Sequence, residues 1–257
     1  MNANEQKMVS DALQFVKELE VPAIALTLEV GNKVPDEPVS TMGGSPSLPF
    51  GAQWPKCAEG RPLVFLAQVN LVEMPSLAEF PETGILQFFV KDDVLFGLDD
   101  GEFLVQFIED TTNLVRRKAP VVGNTPFGTR LHSEGAAMKG TLDTGQPSFG
   151  CWQVSEFEEK LEALGATDAV YHALDEAFDE ARPGFHYIGG HPCFDQGDVR
   201  GQDDREFTSV LLQMGYQSND DGWEVCWGDA GQATFITKER DLRKRDFSKV
   251  LFNWDCA

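Results

Sequence analysis

The chain has 257 residues, of which 42 are acidic and 21 are basic, so its formal net charge at pH 7 is −21. This charge disfavours binding to nucleic acids and to anionic membranes, because both partners are polyanions. Hydrophobic residues make up 42% of the chain, which excludes a disordered polypeptide. A chain of this length also buries enough surface to fold without a disulfide or a metal.

The first half of the chain is predicted to contain one helix followed by strands. Apolar residues recur at helical spacing over residues 4–19, which predicts an N-terminal amphipathic helix. A loop rich in Pro and Gly occupies residues 31–62. We expect residues 121–150 to be an irregular connection, because they show no periodic pattern. Strand-like apolar runs are found at 24–30, 63–71, 85–90 and 102–109.

The second half is predicted to contain two helices followed by strands. Ser155 begins a stretch with helical apolar spacing that stops at Gly165. A second such stretch runs from Thr167 to the Pro183-Gly184 pair. We therefore predict a strand-dominated α+β fold built from antiparallel sheets. The strand-like runs of this half are 210–217, 223–227, 232–237 and 250–254.

Several features of the first half recur in the second half in the same order and at nearly equal spacing. Such ordered recurrence predicts an internal duplication of two helix-plus-antiparallel-sheet units. We expect a single domain over 1–257, with pseudo-repeats at about 1–120 and about 151–257. The matched residues are Gly43-Gly44-Ser45-Pro46 and Gly189-Gly190-His191-Pro192, Gln68 and Gln213, Gly84 and Gly231, and Phe88 and Phe235.

The five cysteines and the N-terminus bear on the cellular compartment. The cysteines are widely spaced and include no Cys-x-x-Cys pair, which predicts free thiols in a reducing cytoplasm and no zinc site. The polar N-terminus is followed by no apolar run of signal-peptide length. No stretch approaches the roughly 20 apolar residues that span a bilayer. We therefore expect a cytoplasmic protein with no metal, no cofactor and no membrane partner.

The Gly-Gly-x-Pro segments belong to longer motifs that carry a family resemblance. These motifs are Gly43-Gly44-x-Pro46-x-Leu48-Pro49-x-Gly51-x-x-Trp54-Pro55, Gly189-Gly190-x-Pro192, Gln196-x-Asp198-x-Arg200, Trp227-Gly228-Asp229-x-Gly231 and Asp246-Phe247-Ser248. Over about residues 5–255 the chain resembles the YwqG-like family, a bacterial family of unknown function. The resemblance implies a duplicated α+β fold and a cytosolic protein, and it implies no established reaction. Some members resemble proteins encoded near toxin systems, which implies an immunity-like role.

The loop after the second Gly-Gly pair carries the densest group of reactive side chains. His191, Asp195, Asp198 and Arg200 lie within ten residues of one another, and Asp229 can join them if neighbouring loops meet. A histidine beside carboxylates can perform acid–base catalysis. In the alternative interpretation, the Asp198 carboxylate pairs with the Arg200 guanidinium and the two brace the loop.

Tryptophans give a second set of candidate residues. Trp54 and Trp227, together with Arg200, are candidates for binding a ligand, since aromatic faces stack on sugar rings. In the alternative interpretation, both tryptophans pack in the core or anchor the Gly-rich loops.

The sequence favours a binding protein over an enzyme. It has no Walker loop and no Gly-x-Ser-x-Gly nucleophile elbow. We predict a protein-binding module whose acidic surface binds a basic partner, such as a toxin. The alternative is a small-molecule- or glycan-binding protein, or an enzyme, with its site between the repeats. A deep cleft lined by His191, Arg200 and Asp229 would favour that alternative, and a shallow acidic face would favour the protein-binding module.

Overall fold

The computed structural model describes residues 1–148 and 150–256. Within these residues the helices are α1 (Ala3–Lys17), α2 (Thr129–Glu134), α3 (Ser155–Ala163), α4 (Asp168–Glu180) and α5 (Glu239–Arg243). The strands are β1 (Val21–Glu29), β2 (Thr41–Met42), β3 (Ser47–Pro49), β4 (Val64–Asn70), β5 (Ile85–Val90), β6 (Phe103–Ile108), β7 (Leu114–Arg116), β8 (Ala136–Gly145), β9 (His186–Gly189), β10 (Phe207–Met214), β11 (Gln217–Ser218), β12 (Glu224–Val225), β13 (Gln232–Lys238) and β14 (Leu251–Asp255).

Ten strands form one antiparallel sheet, in the order β14-β13-β10-β9-β1-β8-β2-β4-β5-β6. The long strands β1 and β8 lie at its centre and pair from Val21 opposite Gly145 to Glu29 opposite Ala137. Strands β2, β4, β5 and β6 lie on one side of this central pair, and β9, β10, β13 and β14 lie on the other. We call these sides the first half and the second half of the sheet.

The sheet curves until its two edge strands approach each other. Phe103 of β6 packs against Phe252 of β14, with ring centroids 5.2 Å apart. The enclosed face carries the main hydrophobic core, in which the rings of Phe88 and Phe235 lie 5.2 Å apart. This nearly closed arrangement buries the aromatic residues of both halves together and protects the sheet edges from pairing with another chain.

The two halves of the sheet are covered differently on their outer face. Helices α1, α3 and α4 pack together over Ile236 of β13 in the second half. The apolar stripe of α1, which buries Ala12 and Val16, holds this helix against the others. In the first half, the short β3–β7 pair and the loop between β3 and β4 cover Phe89 of β5.

Both matched Gly-Gly pairs make close contacts with the backbone of another segment. Gly43 and Gly189 have φ angles of +65° and +69°, a region that favours glycine. A Cβ atom at Gly43 would lie 2.2 Å from the carbonyl oxygen of Leu131 in α2, and one at Gly189 would lie 2.9 Å from that of Pro22 in β1. Gly43 therefore allows the chain to pass tightly against α2, and Gly189 allows it to pass tightly against the central strand β1.

The strands that follow the Gly-Gly pairs also correspond. β4 and β10 each shift register at matched positions, within 65–67 and within 210–212. Each then presents a buried glutamine, Gln68 or Gln213, whose side-chain oxygen accepts a backbone N–H from the segment that follows the Gly-Gly pair. The matched segments therefore share backbone conformation, pairing register and one buried side-chain contact.

The prediction of a strand-dominated α+β fold with an N-terminal helix is confirmed. The prediction of an irregular connection at 121–150 is wrong for residues 129–145, which form α2 and the central strand β8. The apolar pattern of β8 is weak because most of its side chains are at least partly exposed, and only Ala136, Met138 and Gly145 are buried. Its position depends on backbone pairing with β1 and β2, which leaves no periodic signal in the sequence.

Candidate ligand-binding site

Arg200 and Asp198 form the predicted ion pair, and it is buried, with side chains 0% and 5% exposed. Arg200 Nε and Nη2 donate to the two carboxylate oxygens of Asp198 at 2.8 and 2.5 Å, a bidentate geometry. Arg200 Nη1 donates to the carbonyl oxygen of Phe207 at 2.9 Å, and Asp198 also accepts the Trp152 backbone N–H at 3.1 Å. These contacts join the loop to β10 and to the segment before α3, so the pair braces the loop.

His191 is linked to this pair through Gln153. The Gln153 side chain accepts from Arg200 at 3.3 Å, and its amide nitrogen lies 3.4 Å from His191 Nδ1. His191 Nε2 lies 2.8 Å from the carbonyl oxygen of Leu19. Because a carbonyl only accepts, this contact places the proton on Nε2. Burial lowers the pKa of His191, which favours the neutral form of the ring. Its contacts link the loop to the segment before β1.

Asp195 and Asp229 lie elsewhere. Asp195 lines a different cavity from His191, and Asp229 lies on an exposed turn between β12 and β13. Arg200 is buried in its ion pair. The cleft lined by His191, Arg200 and Asp229 that would favour the alternative, a ligand-binding protein or an enzyme, is therefore not formed, and the five predicted residues do not make one site.

The two candidate tryptophans have packing roles. Trp227 is fully buried and meets Phe96 edge-on, with ring centroids 5.1 Å apart, so a ligand cannot reach its face. Trp54 is half-buried, donates its indole N–H to the carbonyl oxygen of Leu63 at 2.9 Å, and packs perpendicular to Phe89. Trp54 thus anchors the loop that covers the first half of the sheet.

A cavity of about 350 Å³ opens where β9, β10 and β13 end or begin together. We call it the Tyr216 cavity. Of the residues that line it, sequence reasoning identified Asp195 alone as a site candidate. The lining includes Arg182, Phe185, Asp195, Gln213, Tyr216 and Gln232.

A chain of hydrogen bonds fixes the polar floor of the Tyr216 cavity. Gln213 Nε2 donates to Gln232 Oε1 at 3.0 Å, and Gln232 Nε2 donates to Asp195 Oδ1 at 2.6 Å. Gln213 is further held by the backbone N–H and carbonyl of Cys193, at 3.2 and 3.1 Å. Both glutamines are buried and Asp195 is exposed, so the floor presents fixed amide groups that lead outward to a carboxylate.

Two aromatic residues form the rim of the cavity. Phe185 is 62% exposed and Tyr216 is 37% exposed. The Gly215 backbone N–H donates to the carbonyl oxygen of Phe185 at 2.6 Å, which fixes the two aromatic residues on neighbouring segments. The Tyr216 hydroxyl lies 2.9 Å from the Ser218 hydroxyl, which further orients the ring.

The arrangement is suited to non-covalent binding. It combines amide donors and acceptors, one carboxylate, the Arg182 guanidinium and two aromatic side chains around one opening. Across the described residues, no group of three or more His, Cys, Asp or Glu side chains is placed to hold a metal ion. A sequence signal for this site exists in the repeat comparison, where Gly215 and Gln232 stand in place of Asn70 and Ile85.

The comparisons with known proteins identify the family. The model of the family described as "Domain of unknown function (DUF1963)" matches residues 40–256, which is most of the chain, so the chain belongs to this family. The match confirms a family of unknown function and does not confirm the YwqG-like name. A search of curated proteins finds no match.

Among the described residues, every helix is too short or too polar to cross a membrane.

Proposed function

We propose that this DUF1963 domain binds a small molecule in the Tyr216 cavity. The observation that carries the proposal is the difference between this cavity and the matched place in the first half. There the Asn70 side-chain amide donates to the carbonyl oxygen of Pro38 at 2.8 Å, and Gln68 Nε2 donates to that of Val39 at 2.6 Å. The residue matched to Asn70 is Gly215, which has no side chain to close the space.

This comparison rests on an internal duplication, which we include in the proposal. The matched Gly-Gly pairs, register shifts and buried glutamines support it. The order of the strands supports it as well, since the two sides of the central β1–β8 pair contain corresponding strands. In a duplicated fold, a space that is filled in one half and open in the other is a place where the second copy has diverged.

The size and chemistry of the Tyr216 cavity support a small ligand. Its volume of about 350 Å³ lies in the range of small-molecule sites, which combine apolar walls with a few fixed polar groups. Here Phe185 and Tyr216 supply the apolar surface, while Gln213, Gln232 and Asp195 supply the polar groups. The floor is already held by hydrogen bonds within the protein, so little ordering is needed when a ligand binds.

Metabolite capture tests the proposal. Purified protein is equilibrated with a fractionated metabolite extract, and the retained compounds are identified by mass spectrometry. We expect one class of compound to be enriched by the wild-type protein and lost with Tyr216→Ala. Phe50→Ala is the matched control, because Phe50 is an aromatic residue 82% exposed in the loop after β3, away from the cavity lining; this variant should retain the compound. No enrichment, or enrichment that survives Tyr216→Ala, would refute the proposed function.

The net charge of −21 favours a second candidate function, a protein-binding module for a basic partner. This function includes an immunity-like role. Complementary charge accelerates association between proteins. This function stays a prediction. Affinity purification would favour it if one basic protein were retained equally by the wild type and by Tyr216→Ala, with binding weakened at high salt.

A further inference from the structure

We infer that a small organic amine binds in a second cavity, separate from the Tyr216 cavity. The second cavity has a volume of about 340 Å³ and lies between the turn at 77–80, the Gly189-Gly190 pair and the beginning of β10. We call it the Glu79 cavity. None of the described residues lines both cavities, so this inference stands apart from the proposed function.

The Glu79 carboxylate supplies the unpaired charge of this cavity. One of its oxygens accepts the hydroxyl group of the buried Ser209 at 3.1 Å, and among the described residues Ser209 is its one hydrogen-bonding partner. A carboxylate has about four acceptor positions, so the other oxygen keeps its capacity. The second carboxylate in the lining, Glu239, is already paired with Arg243 at 2.7 Å. Glu79 is therefore oriented by Ser209 and still able to bind a cation.

The close approach of the turn at 77–80 to Gly189 forms one wall of the cavity. A Cβ atom at Gly189 would lie 2.8 Å from Leu77 Cδ1, so a larger residue at this position would push the turn away. Leu77 and Phe80 are 7% and 9% exposed, and both belong to the main hydrophobic core. Their burial holds the turn in place and positions Glu79 between them at the cavity.

The His191 ring lines the same cavity without adding positive charge. Its Nε2 lies 2.8 Å from the Leu19 carbonyl oxygen, and its Nδ1 lies 3.4 Å from the Gln153 amide nitrogen. Both ring nitrogens therefore contact other groups of the protein, and burial favours the neutral form by lowering the pKa. A neutral ring does not oppose a cationic ligand beside Glu79.

A protonated amine on a short apolar body suits these surroundings better than other ligands. An ammonium group has three hydrogen-bond donors and neutralises Glu79, while its apolar body contacts Leu77 and Phe80. A purely apolar ligand would bury the carboxylate without a partner, which is costly, and an anion would be repelled. A metal ion requires more ligands than this cavity supplies, since no group of three or more His, Cys, Asp or Glu side chains in the described part of the chain is placed to hold one.

Matched amines and alcohols test the inference. The amines 2-phenylethylamine and 1,4-diaminobutane are titrated against the full chain by calorimetry, beside 2-phenylethanol, in which a hydroxyl group replaces the ammonium. We expect at least one amine to bind and 2-phenylethanol to bind more weakly. Glu79→Gln keeps an oxygen for the Ser209 hydroxyl and removes the charge, and it should lower the amine affinity by about tenfold or more.

The matched control is Glu82→Gln, which removes the same charge three residues along the chain. Glu82 is exposed and is not part of the cavity lining, so the amine affinity should change by less than about twofold. Thermal unfolding of each variant checks that it remains folded. Binding of neither amine, equal losses in the two variants, or equally tight binding of 2-phenylethanol would each overturn the inference.

Tyr216→Ala separates this inference from the proposed function. Amine binding that is kept in Tyr216→Ala and lost in Glu79→Gln supports the Glu79 cavity as the amine site. Amine binding that is lost in Tyr216→Ala and kept in Glu79→Gln overturns the inference and supports the proposed function, because the amine then occupies the Tyr216 cavity.

Discussion

Matched positions in the two halves of the sheet close a space in the first half and leave a cavity open in the second. In the first half, Asn70 bonds across to the incoming chain at Pro38, and the neighbouring strand position is the buried Ile85. In the second half the corresponding residues are Gly215 and Gln232, and a cavity with a polar floor results. Different residues at two strand ends therefore go with a filled space in the first half and an open one in the second, while the strands pair in a similar way.

The loops that cover the two halves also differ in how they are anchored. The first loop is held by the half-buried Trp54, through one indole hydrogen bond and ring packing. The second is held by the buried Arg200–Asp198 pair. Truncating a side chain that acts through packing lowers the stability of the protein gradually. Removing one partner of a buried ion pair leaves an unpaired buried charge, which is strongly unfavourable. The second half should therefore be the more sensitive to single substitutions.

The largest expected effect is that of Arg200→Ala. It leaves the Asp198 carboxylate buried without its guanidinium partner, which we expect to lower the free energy of unfolding by about 3–5 kcal/mol. Urea denaturation measures this value. Arg243→Ala is the control, since the Arg243–Glu239 pair is 54% and 52% exposed and its loss should change stability by no more than about 1 kcal/mol. Equal effects of the two variants would contradict the bracing role.

The next effect depends on pH and on His186, whose matched residue in the first half is Ser40. Burial lowers the pKa of His186 to about 4 from 6.5, so the folded protein binds this proton less readily than the unfolded chain. Its contribution to stability is present above pH 6.5 and is lost as the pH falls from 6.5 to 4, by about 3 kcal/mol.

The substitution His186→Ser isolates this contribution. Denaturant unfolding at pH 7 and pH 4 should show a smaller loss of stability in the variant than in the wild type, by up to about 3 kcal/mol. His172→Ser is the control, because His172 is exposed on α4, and it should keep the wild-type pH dependence. An unchanged pH dependence in His186→Ser would mean that His186 is not the group responsible.

The buried glutamines test whether the two halves are equivalent. Gln68→Leu removes the acceptor of the Ser47 N–H, and Gln213→Leu removes that of the Cys193 N–H. A buried donor without a partner costs about 1–3 kcal/mol. We expect both variants to lose stability in this range and by similar amounts in urea denaturation. A large loss in one and none in the other would contradict the matched roles of the glutamines.

The smallest expected effect is that of Gln232→Ile, which introduces at position 232 the residue type found at the matched position, Ile85. Gln213 keeps its contact to the Cys193 carbonyl, and Asp195 is exposed to water. We therefore expect a loss of about 1 kcal/mol or less in the free energy of unfolding, together with loss of ligand binding. A variant that binds ligand normally would show that the Gln232 amide is not part of the site.

The sequence was informative where one short segment determines the geometry. The Gly-Gly pairs, the strands around Gln68 and Gln213, and the Asp198–Arg200 pair all follow from local spacing. The prediction that His191 and Asp195 share one site is wrong, because residues close together in an irregular loop can point to different sides. His191 contacts the Leu19 carbonyl oxygen, whereas Asp195 lines the Tyr216 cavity.

The Tyr216 cavity could not be predicted for a different reason. Its rim residues Phe185 and Tyr216 are separated in the chain by all of β9, the segment after it and all of β10. They meet because β9 and β10 pair antiparallel through His186 and Met214, next to the rim. Nothing in the local pattern around either aromatic residue signals that pairing, which depends on the register of the whole sheet.

The central position of β1 has a consequence for how the chain is made. Val21 pairs with Gly145, and Ala23 pairs with Gly189, so the first strand to leave the ribosome finds both neighbours only after more than a hundred further residues. At about 5–20 residues per second, β1 waits several seconds or longer without a partner. Such distant pairing slows folding, and β1 can pair on both sides only once β8 and β9 have been made.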